Sequence, residues 1–265
     1  MVVLNGLIVI LRTIIKIKQM AIKIEKLTAT ELKAVNPWKG LIKKIKNDGY
    51  ELKRNQKYFD EKDKDIIEDI NKKFKDTDYE VHLEILPFHF SGNILDAPIM
   101  LLTANPGYVA DEEKKGFHTD KKFIRETIED FTFEKEFLLT DSIDRMVKSD
   151  YYYKKLWRLM ETYGFEKVSK NVSLLEFFPY HSVKFKNADL PSQKFGVEIV
   201  KYAIEQRKLI VIMRSERNWY DAVKELKKYP NKVVLKNYRQ PYVTEGNCQP
   251  KEDFHKILKV LDKCT

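Results

Sequence analysis

Four short stretches of the chain are largely apolar and do not alternate regularly with polar residues. They cover residues 99–103, 172–177, 209–213 and 233–236. Apolar runs of this length are typical of strands that are buried on both faces of a parallel sheet. Segments with helical spacing lie between or after them. This alternation predicts an α/β protein with helices covering both faces of the sheet.

Helical spacing of apolar residues marks three further segments. Thr28 and Glu31 form a predicted capping box at the start of an N-terminal helical region, and Ser215 is the expected N-cap of a later helix. The predicted apolar helix faces are Ile66, Ile67, Ile70 and Phe74; Trp219, Ala222, Val223 and Leu226; and Phe254, Ile257, Leu258 and Leu261. We therefore expect a three-layer α/β/α fold with a central, mainly parallel, four-stranded sheet and an added N-terminal helical layer.

These patterns divide the chain into residues 1–27, an apolar N-terminal segment; residues 28–85, the helical layer; and residues 86–265, the α/β domain. The apolar segment is interrupted by polar residues and has no basic residue ahead of its apolar run. It therefore lacks the pattern of a membrane span or a signal peptide. Two interpretations stay open: a start upstream of the true Met20, or a packed first helix. We expect no stable membrane association.

Charge favours an anionic partner. The 265 residues include 49 Lys and Arg against 40 Asp and Glu, a formal net charge of +9. This excess favours approach to DNA or RNA, although lysines on solvated helix faces account nearly as well for the total. Cys248 and Cys264 are the only cysteines, which fits a reducing cytoplasm. The five histidines are dispersed, so no metal or other cofactor is expected.

Polar loops follow all four predicted strands. The strands end in ANPGY, FFPYHS, RSERN and NYRQPYVTEGN. Ligands of open parallel sheets bind outside the carboxyl ends of the strands, so we expect these loops to converge on one site. RSERN places Arg214 and Arg217 at a helix N-terminus, where they could bind phosphate, although capping by Ser215 explains part of this composition.

Asn-Pro-Gly directly after a buried strand resembles the first active-site motif of the uracil-DNA glycosylase superfamily, with Thr103 in place of that motif's first glycine. LPFHFSGNILDAPIMLLTANPGY and SLLEFFPYHSVKF also resemble a bacterial group of that superfamily. The similarity extends from Leu86 to the last helix and implies a uracil-DNA-glycosylase-like fold. It also implies an enzyme that flips a base out of nucleic acid and hydrolyses its bond to the sugar.

The resemblance implies roles for the residues of the first motif. Asn105 would position the water that attacks the sugar C1′, although a neutral amide is a poor general base. Pro106 and Gly107 would allow close approach of the backbone to the ligand, and Tyr108 would line the pocket. Phe117 resembles the aromatic residue that stacks on the flipped base, with a place in the core as the alternative.

The second strand departs from the family pattern at Glu176, where relatives commonly carry an asparagine that contacts the base edge. An ionised carboxylate only accepts hydrogen bonds, so Glu176 favours a base edge with amino or NH donors over uracil. The alternative is a structural salt bridge. Tyr180 is a further expected substrate contact. His181 is either an ionisable catalytic group or the cap of its turn.

The loop after the last strand also departs from the pattern. Gln240 stands where the family's last motif has histidine or asparagine, followed by Pro241. Gln240 can still donate a hydrogen bond to a base carbonyl, and Arg239 could contact a phosphate. The sequence thus favours an N-glycosylase acting on a damaged or modified base, with DNA favoured over RNA. The alternatives are a non-catalytic nucleotide or modified-base binding module of the same fold, and a scaffold anchored by its N-terminal apolar segment.

Overall fold

A computed structural model of the protein describes residues 28–110, 116–139 and 148–264. The apolar segment 1–27 and its two interpretations lie outside these residues. In the described part, no helix combines the length and the hydropathy that crossing a membrane requires.

The sheet has six strands in the spatial order β1-β3-β2-β4-β5-β6. The strands are β1 (Phe90–Ser91), β2 (Ile99–Leu102), β3 (Val172–Leu175), β4 (Leu209–Ile212), β5 (Lys232–Leu235) and β6 (Cys248–Gln249). Neighbours among β2, β3, β4 and β5 pair in parallel, whereas β1 and β6 pair antiparallel at the two edges. The α/β class is thus confirmed, but the sheet is mixed and has two strands more than the four expected.

Ten α-helices lie in the described residues. They are α1 (Ala29–Ala34), α2 (Lys39–Asn47), α3 (Lys64–Phe74), α4 (Lys121–Thr132), α5 (Lys148–Tyr163), α6 (Phe165–Asn171), α7 (Pro191–Glu205), α8 (Glu216–Ala222), α9 (Lys224–Lys228) and α10 (Phe254–Lys263). The Thr28–Glu31 capping box is confirmed. Ser215 occupies the N-cap position of α8 but makes no capping hydrogen bond, because its backbone is left-handed with φ 56° rather than extended.

Helices cover both faces of the sheet because successive strand residues point to opposite sides. Met100 and Ile210 join a core cluster with residues of α1 to α4 and α7 to α9. Ile99 and Leu209 face the other way, into a cluster with α5, α6 and α10. Every residue of β2, β3 and β4 is buried, which explains their unbroken apolar runs.

The N-terminal helices pack into the first of these clusters. The ring of Trp38 stacks on Phe131 of α4, with 5.0 Å between centroids. Asp63, fully buried, accepts hydrogen bonds from the Tyr180 hydroxyl at 2.7 Å and from the Ser192 backbone amide at 3.0 Å. The helical layer and the sheet therefore share one core.

Candidate functional site

A cavity of about 300 Å³ opens at the carboxyl ends of the central strands. Three loops at the strand ends line it: the loop after β2 contributes Thr103 and residues 105–109, the loop after β3 contributes Glu176, His181 and Val183, and the loop after β4 contributes Arg214. Helix α5 adds Tyr151 and Tyr152 to the wall, and Phe88, which precedes β1, completes this set of lining residues. This is the edge at which ligands of parallel sheets bind. The sequence predicts that the loops after all four central strands converge on one site, and three of these four loops line the cavity.

Asn105 is fixed in this cavity by its own amide group. Its Nδ2 donates to the backbone oxygens of Pro106 and Ser182, both at 3.1 Å, and contacts Ser182 Oγ at 3.0 Å. Backbone carbonyl oxygens only accept hydrogen bonds, so the side-chain atom of Asn105 that faces them must be the amide nitrogen, and Oδ1 is the other atom. Oδ1 accepts no hydrogen bond from the described residues. Asn105 can therefore offer an acceptor to a water or a ligand in the cavity.

His181 lies beside the same loop. Its Nδ1 is 2.9 Å from the backbone oxygen of Gly107, which can only accept, so Nδ1 carries the proton and Nε2 is the basic nitrogen of the neutral ring. The His118 ring lies edge-on to His181 at 5.0 Å between centroids. His82 stacks on Tyr108 at 3.3 Å, and the His82 amide donates to the His181 carbonyl oxygen at 2.9 Å. These contacts position the loop that carries Asn-Pro-Gly.

Glu176 is a buried carboxyl group on the cavity wall, with 1% of its surface exposed. The Tyr152 hydroxyl donates to Oε1 at 2.8 Å, and the Thr103 hydroxyl donates to Oε2. The backbone amide of Glu176 donates to His89 O at 2.7 Å, which fixes the start of the loop. Hydroxyl donors on both oxygens stabilise the carboxyl group as an acceptor. Thr103 thus helps to hold Glu176.

Arg214 supplies a cation to the same cavity, which Tyr151 also lines. Burial raises the pKa of Tyr151, and the adjacent Arg214 acts in the opposite direction. Burial also raises the pKa of Tyr152 well above its ordinary value, and the neighbouring Glu176 raises it further. Both tyrosines are therefore protonated at neutral pH and can donate hydrogen bonds.

Lys155 connects this group to the loop after β5. Its side chain is buried, with Nζ 3.9 Å from the ring centroid of Tyr242 and 4.9 Å from that of Tyr151. The Lys155 carbonyl oxygen accepts from the Val243 amide at 2.8 Å. The fourth loop therefore supports the cavity through Tyr242 and Lys155, outside its wall.

The structure brings together only part of the predicted site. Asn105, Pro106, Gly107, Tyr108, Glu176, His181 and Arg214 line the cavity. Gln240 and Arg239 are exposed, Pro241 is buried beside them, and none of the three lines it. The Arg217 side chain is 95% exposed and lies 3.8 Å from Asp221. The side chain of Phe117 lies outside the described residues.

Tyr180 is placed in the core and not on the cavity wall. It is 1% exposed, and its hydroxyl donates to Asp63 and accepts from the Asp60 amide at 3.1 Å. Its side chain also lies edge-on to Trp38. The sequence placed Tyr180 near the site because it follows β3, but its side chain contacts the N-terminal helical layer instead.

Sequence reasoning missed Phe88, Tyr151, Tyr152 and Lys155. The last three belong to the run DYYYKKLWRL at the start of α5. Three consecutive tyrosines followed by two lysines could have drawn attention to this segment. A helix that reaches the carboxyl edge from another part of the chain gives no signal in the strand-end loops.

The described residues contain no cluster of three or more His, Cys, Asp or Glu side chains arranged to hold a metal ion. Comparisons with protein-family models, curated proteins and solved structures find no match to this chain. The function is therefore inferred from the chemistry of the cavity and from the motif at its edge.

Proposed function

We propose that this protein is a uracil-DNA-glycosylase-like N-glycosylase. It hydrolyses the bond between a damaged or modified base and its sugar in DNA, without selectivity for uracil. The observation that carries the proposal is Asn105, whose amide is fixed by Ser182 and Pro106 and whose Oδ1 is available in a cavity that also contains Glu176 and Arg214. The Asn-Pro-Gly loop at the carboxyl end of β2 supports the same assignment.

The cavity provides groups for each part of the hydrolysis. The electron pair of the bond from C1′ to nitrogen leaves with the base, the oxygen of water bonds to C1′, and the proton released by water neutralises the base. Asn105 Oδ1 accepts a hydrogen bond from the attacking water and orients it towards C1′. Because an amide is a poor base, the reaction depends on a cationic sugar and on stabilisation of the departing base, to which Arg214 contributes positive charge.

Glu176 supports a preference for bases other than uracil. Uracil presents two carbonyl acceptors on either side of one NH donor, whereas the carboxylate only accepts hydrogen bonds. A carbonyl directed at a buried carboxylate loses its hydrogen bond to water and gains none in return. A base edge with more donors is therefore favoured.

A DNA partner is supported by the net charge and by exposed aromatic residues on α5 and on the loop after β5. Tyr151, Tyr153 and Trp157 of α5 are exposed, and Arg158 lies over the Trp157 ring at 5.6 Å. Tyr238, beside Arg239, is exposed on the loop after β5. Arginine beside aromatic rings is typical of surfaces that stack unpaired bases. Cys248 and Cys264 are free thiols, which fits the cytoplasm.

A second candidate is a binding module of the same fold that recognises a modified base or a nucleotide without cleaving it. This candidate is favoured by the position of Gln240, which is exposed and does not line the cavity. The group that would replace the last-motif histidine of the uracil-DNA glycosylase superfamily therefore lies outside the cavity wall.

Base release separates the two candidates. Single- and double-stranded oligonucleotides that carry uracil, deaminated, alkylated or 5-modified cytosine bases are incubated with the purified protein, and released base is measured by mass spectrometry. A glycosylase releases one of these bases and leaves an abasic site. Binding to the same oligonucleotides without release would support the binding module.

A further inference from the structure

Two side chains of opposite charge and opposite hydrogen-bonding character line the same small cavity. Glu176 offers only acceptors, and Arg214 offers only donors. Such a pair is complementary to a ligand that presents amino hydrogens to the carboxylate and a carbonyl oxygen to the guanidinium.

Two consecutive tyrosines of α5 hold this pair in place. Tyr152 donates to Glu176 Oε1 at 2.8 Å, and Tyr151 lines the cavity together with Arg214. The rings of Tyr151 and Tyr152 contact each other edge-on, with 5.0 Å between their centroids. Lys155, one turn further along the helix, lies against Tyr151 and supports its ring. The loops that carry the charged pair are therefore supported by a helix.

We propose that this pair selects a base that carries an exocyclic amino group beside a carbonyl, as cytosine-type and guanine-type bases do. Glu176 accepts from the amino group, and Arg214 donates to the carbonyl oxygen. This inference rests on the proposed function in that it takes the ligand to be a base in the cavity, and it names the class of that base.

Bases whose only edge donor is a ring NH fit less well. Cytosine and uracil differ at one edge, where the amino group and bare ring nitrogen of cytosine are replaced by a carbonyl and an NH group. Guanine differs from hypoxanthine in its 2-amino group. In each pair only the first member gives Glu176 an amino donor while Arg214 retains a carbonyl to bind. Complementary polar pairs of this kind discriminate between bases by about tenfold or more.

The cavity has the size that such a ligand needs. Its volume of about 300 Å³ lies at the lower end of small-molecule sites. Phe88, Tyr108 and Tyr151 give it aromatic walls. Rings of this kind contact the faces of a planar base and leave its edge to the polar groups.

The test is equilibrium binding by isothermal titration calorimetry of the full chain with cytidine, uridine, guanosine and inosine. We expect the amino-bearing nucleoside of at least one pair to bind about tenfold more tightly than its partner, and the pair that shows this identifies a pyrimidine or a purine ligand. Equal affinities within both pairs, or no binding of any nucleoside at millimolar concentration, would overturn the inference.

Variants assign the selectivity to the proposed residues. Glu176→Gln should remove the preference, and Arg214→Gln should weaken both members of the preferred pair. Tyr152→Phe, which keeps the ring and deletes one hydrogen bond to Glu176, should reduce the preference even if Glu176→Gln fails to fold. The matched controls are Glu198→Gln and Arg125→Gln, on α7 and α4 away from the cavity, which should bind as the wild type does. A preference that persists in both Glu176→Gln and Tyr152→Phe contradicts the inference.

These measurements detect binding without cleavage. If selective binding is found and no base is released from any oligonucleotide, the glycosylase proposal fails and the inference stands. If base is released but cytosine-type and guanine-type bases are not preferred, the inference fails and the glycosylase proposal stands.

Discussion

Replacing Tyr180 by phenylalanine should destabilise the protein and leave its cavity intact. The substitution deletes one hydroxyl group from a side chain that is 1% exposed. That hydroxyl donates to Asp63 Oδ2 at 2.7 Å and accepts from the Asp60 amide at 3.1 Å. Asp63 is fully buried and keeps only the Ser192 amide, at 3.0 Å, among these partners.

The magnitude follows from these contacts. A hydrogen bond to a charged group contributes roughly 1.5–3 kcal/mol to stability, and the Asp60 amide also loses its acceptor. We therefore expect Tyr180→Phe to lower the free energy of unfolding by about 2–3 kcal/mol. Because Tyr180 does not line the cavity, base binding and base release by the folded variant should match the wild type.

The assay is urea denaturation followed by circular dichroism, together with base binding under native conditions. A double-mutant cycle with Asp63→Asn provides the control. If the two residues act through one hydrogen bond, the double variant should be more stable than the sum of the single effects by roughly 1 kcal/mol or more. Unchanged stability combined with altered base binding would refute this reasoning and return Tyr180 to the site.

Two further predictions concern the core. Burial raises the pKa of Asp130 to about 6 from an ordinary 3.8, so the folded protein binds more protons than the unfolded chain between these values. Relative to Asp130→Asn, the wild type should lose roughly 2 kcal/mol of stability as the pH rises from about 4 to about 6; equal pH dependence in urea denaturation would contradict this. In Gly196→Ala, the added Cβ would lie 2.8 Å from His89 Nε2, so the variant should be destabilised by about 1–3 kcal/mol. Gly40→Ala, with nothing within 4 Å, is the control, and an equal thermal midpoint in both variants would count against the clash.

The central strands could be predicted because burial on both faces leaves a continuous apolar run. Residues 99–103 and 209–213 contain β2 and β4 almost without error. The edge strands β1 and β6 could not be found in this way, since each has two residues and neither shows a period. They form because the outer parallel strands have unpaired edges that a short neighbouring segment can cover.

The residues of the candidate site that could be predicted from the sequence are those that lie just after the central strands. Asn105, Glu176 and Arg214 each lie within three residues of the end of a central strand, so strand order alone brings them together. Tyr152 was not predictable, because its approach to Glu176 depends on how α5 packs against the sheet. Tyr180 was misplaced because a position in a loop does not determine which side of the loop a side chain faces.

Helix ends can likewise be predicted from sequence only where local backbone geometry determines them. The Thr28–Glu31 capping box requires only local backbone geometry, and it forms as predicted. Ser215 has the right residue type in the right place, yet its left-handed backbone prevents the capping bond. That conformation follows the turn out of β4, where Arg214 N lies 3.3 Å from Leu102 O, a contact between strands that no local pattern contains.

The most direct test of the proposed function compares single-turnover base release by the wild type and by Asn105→Ala. The substrate is the oligonucleotide base that the wild type releases fastest. Ser182→Ala, which removes one of the contacts of Asn105 Nδ2 and keeps the amide, serves as the matched variant. We predict that Asn105→Ala remains folded, still binds the oligonucleotide and releases no base, and that Ser182→Ala retains partial activity. Base release by Asn105→Ala at the wild-type rate would contradict the proposed role of Asn105.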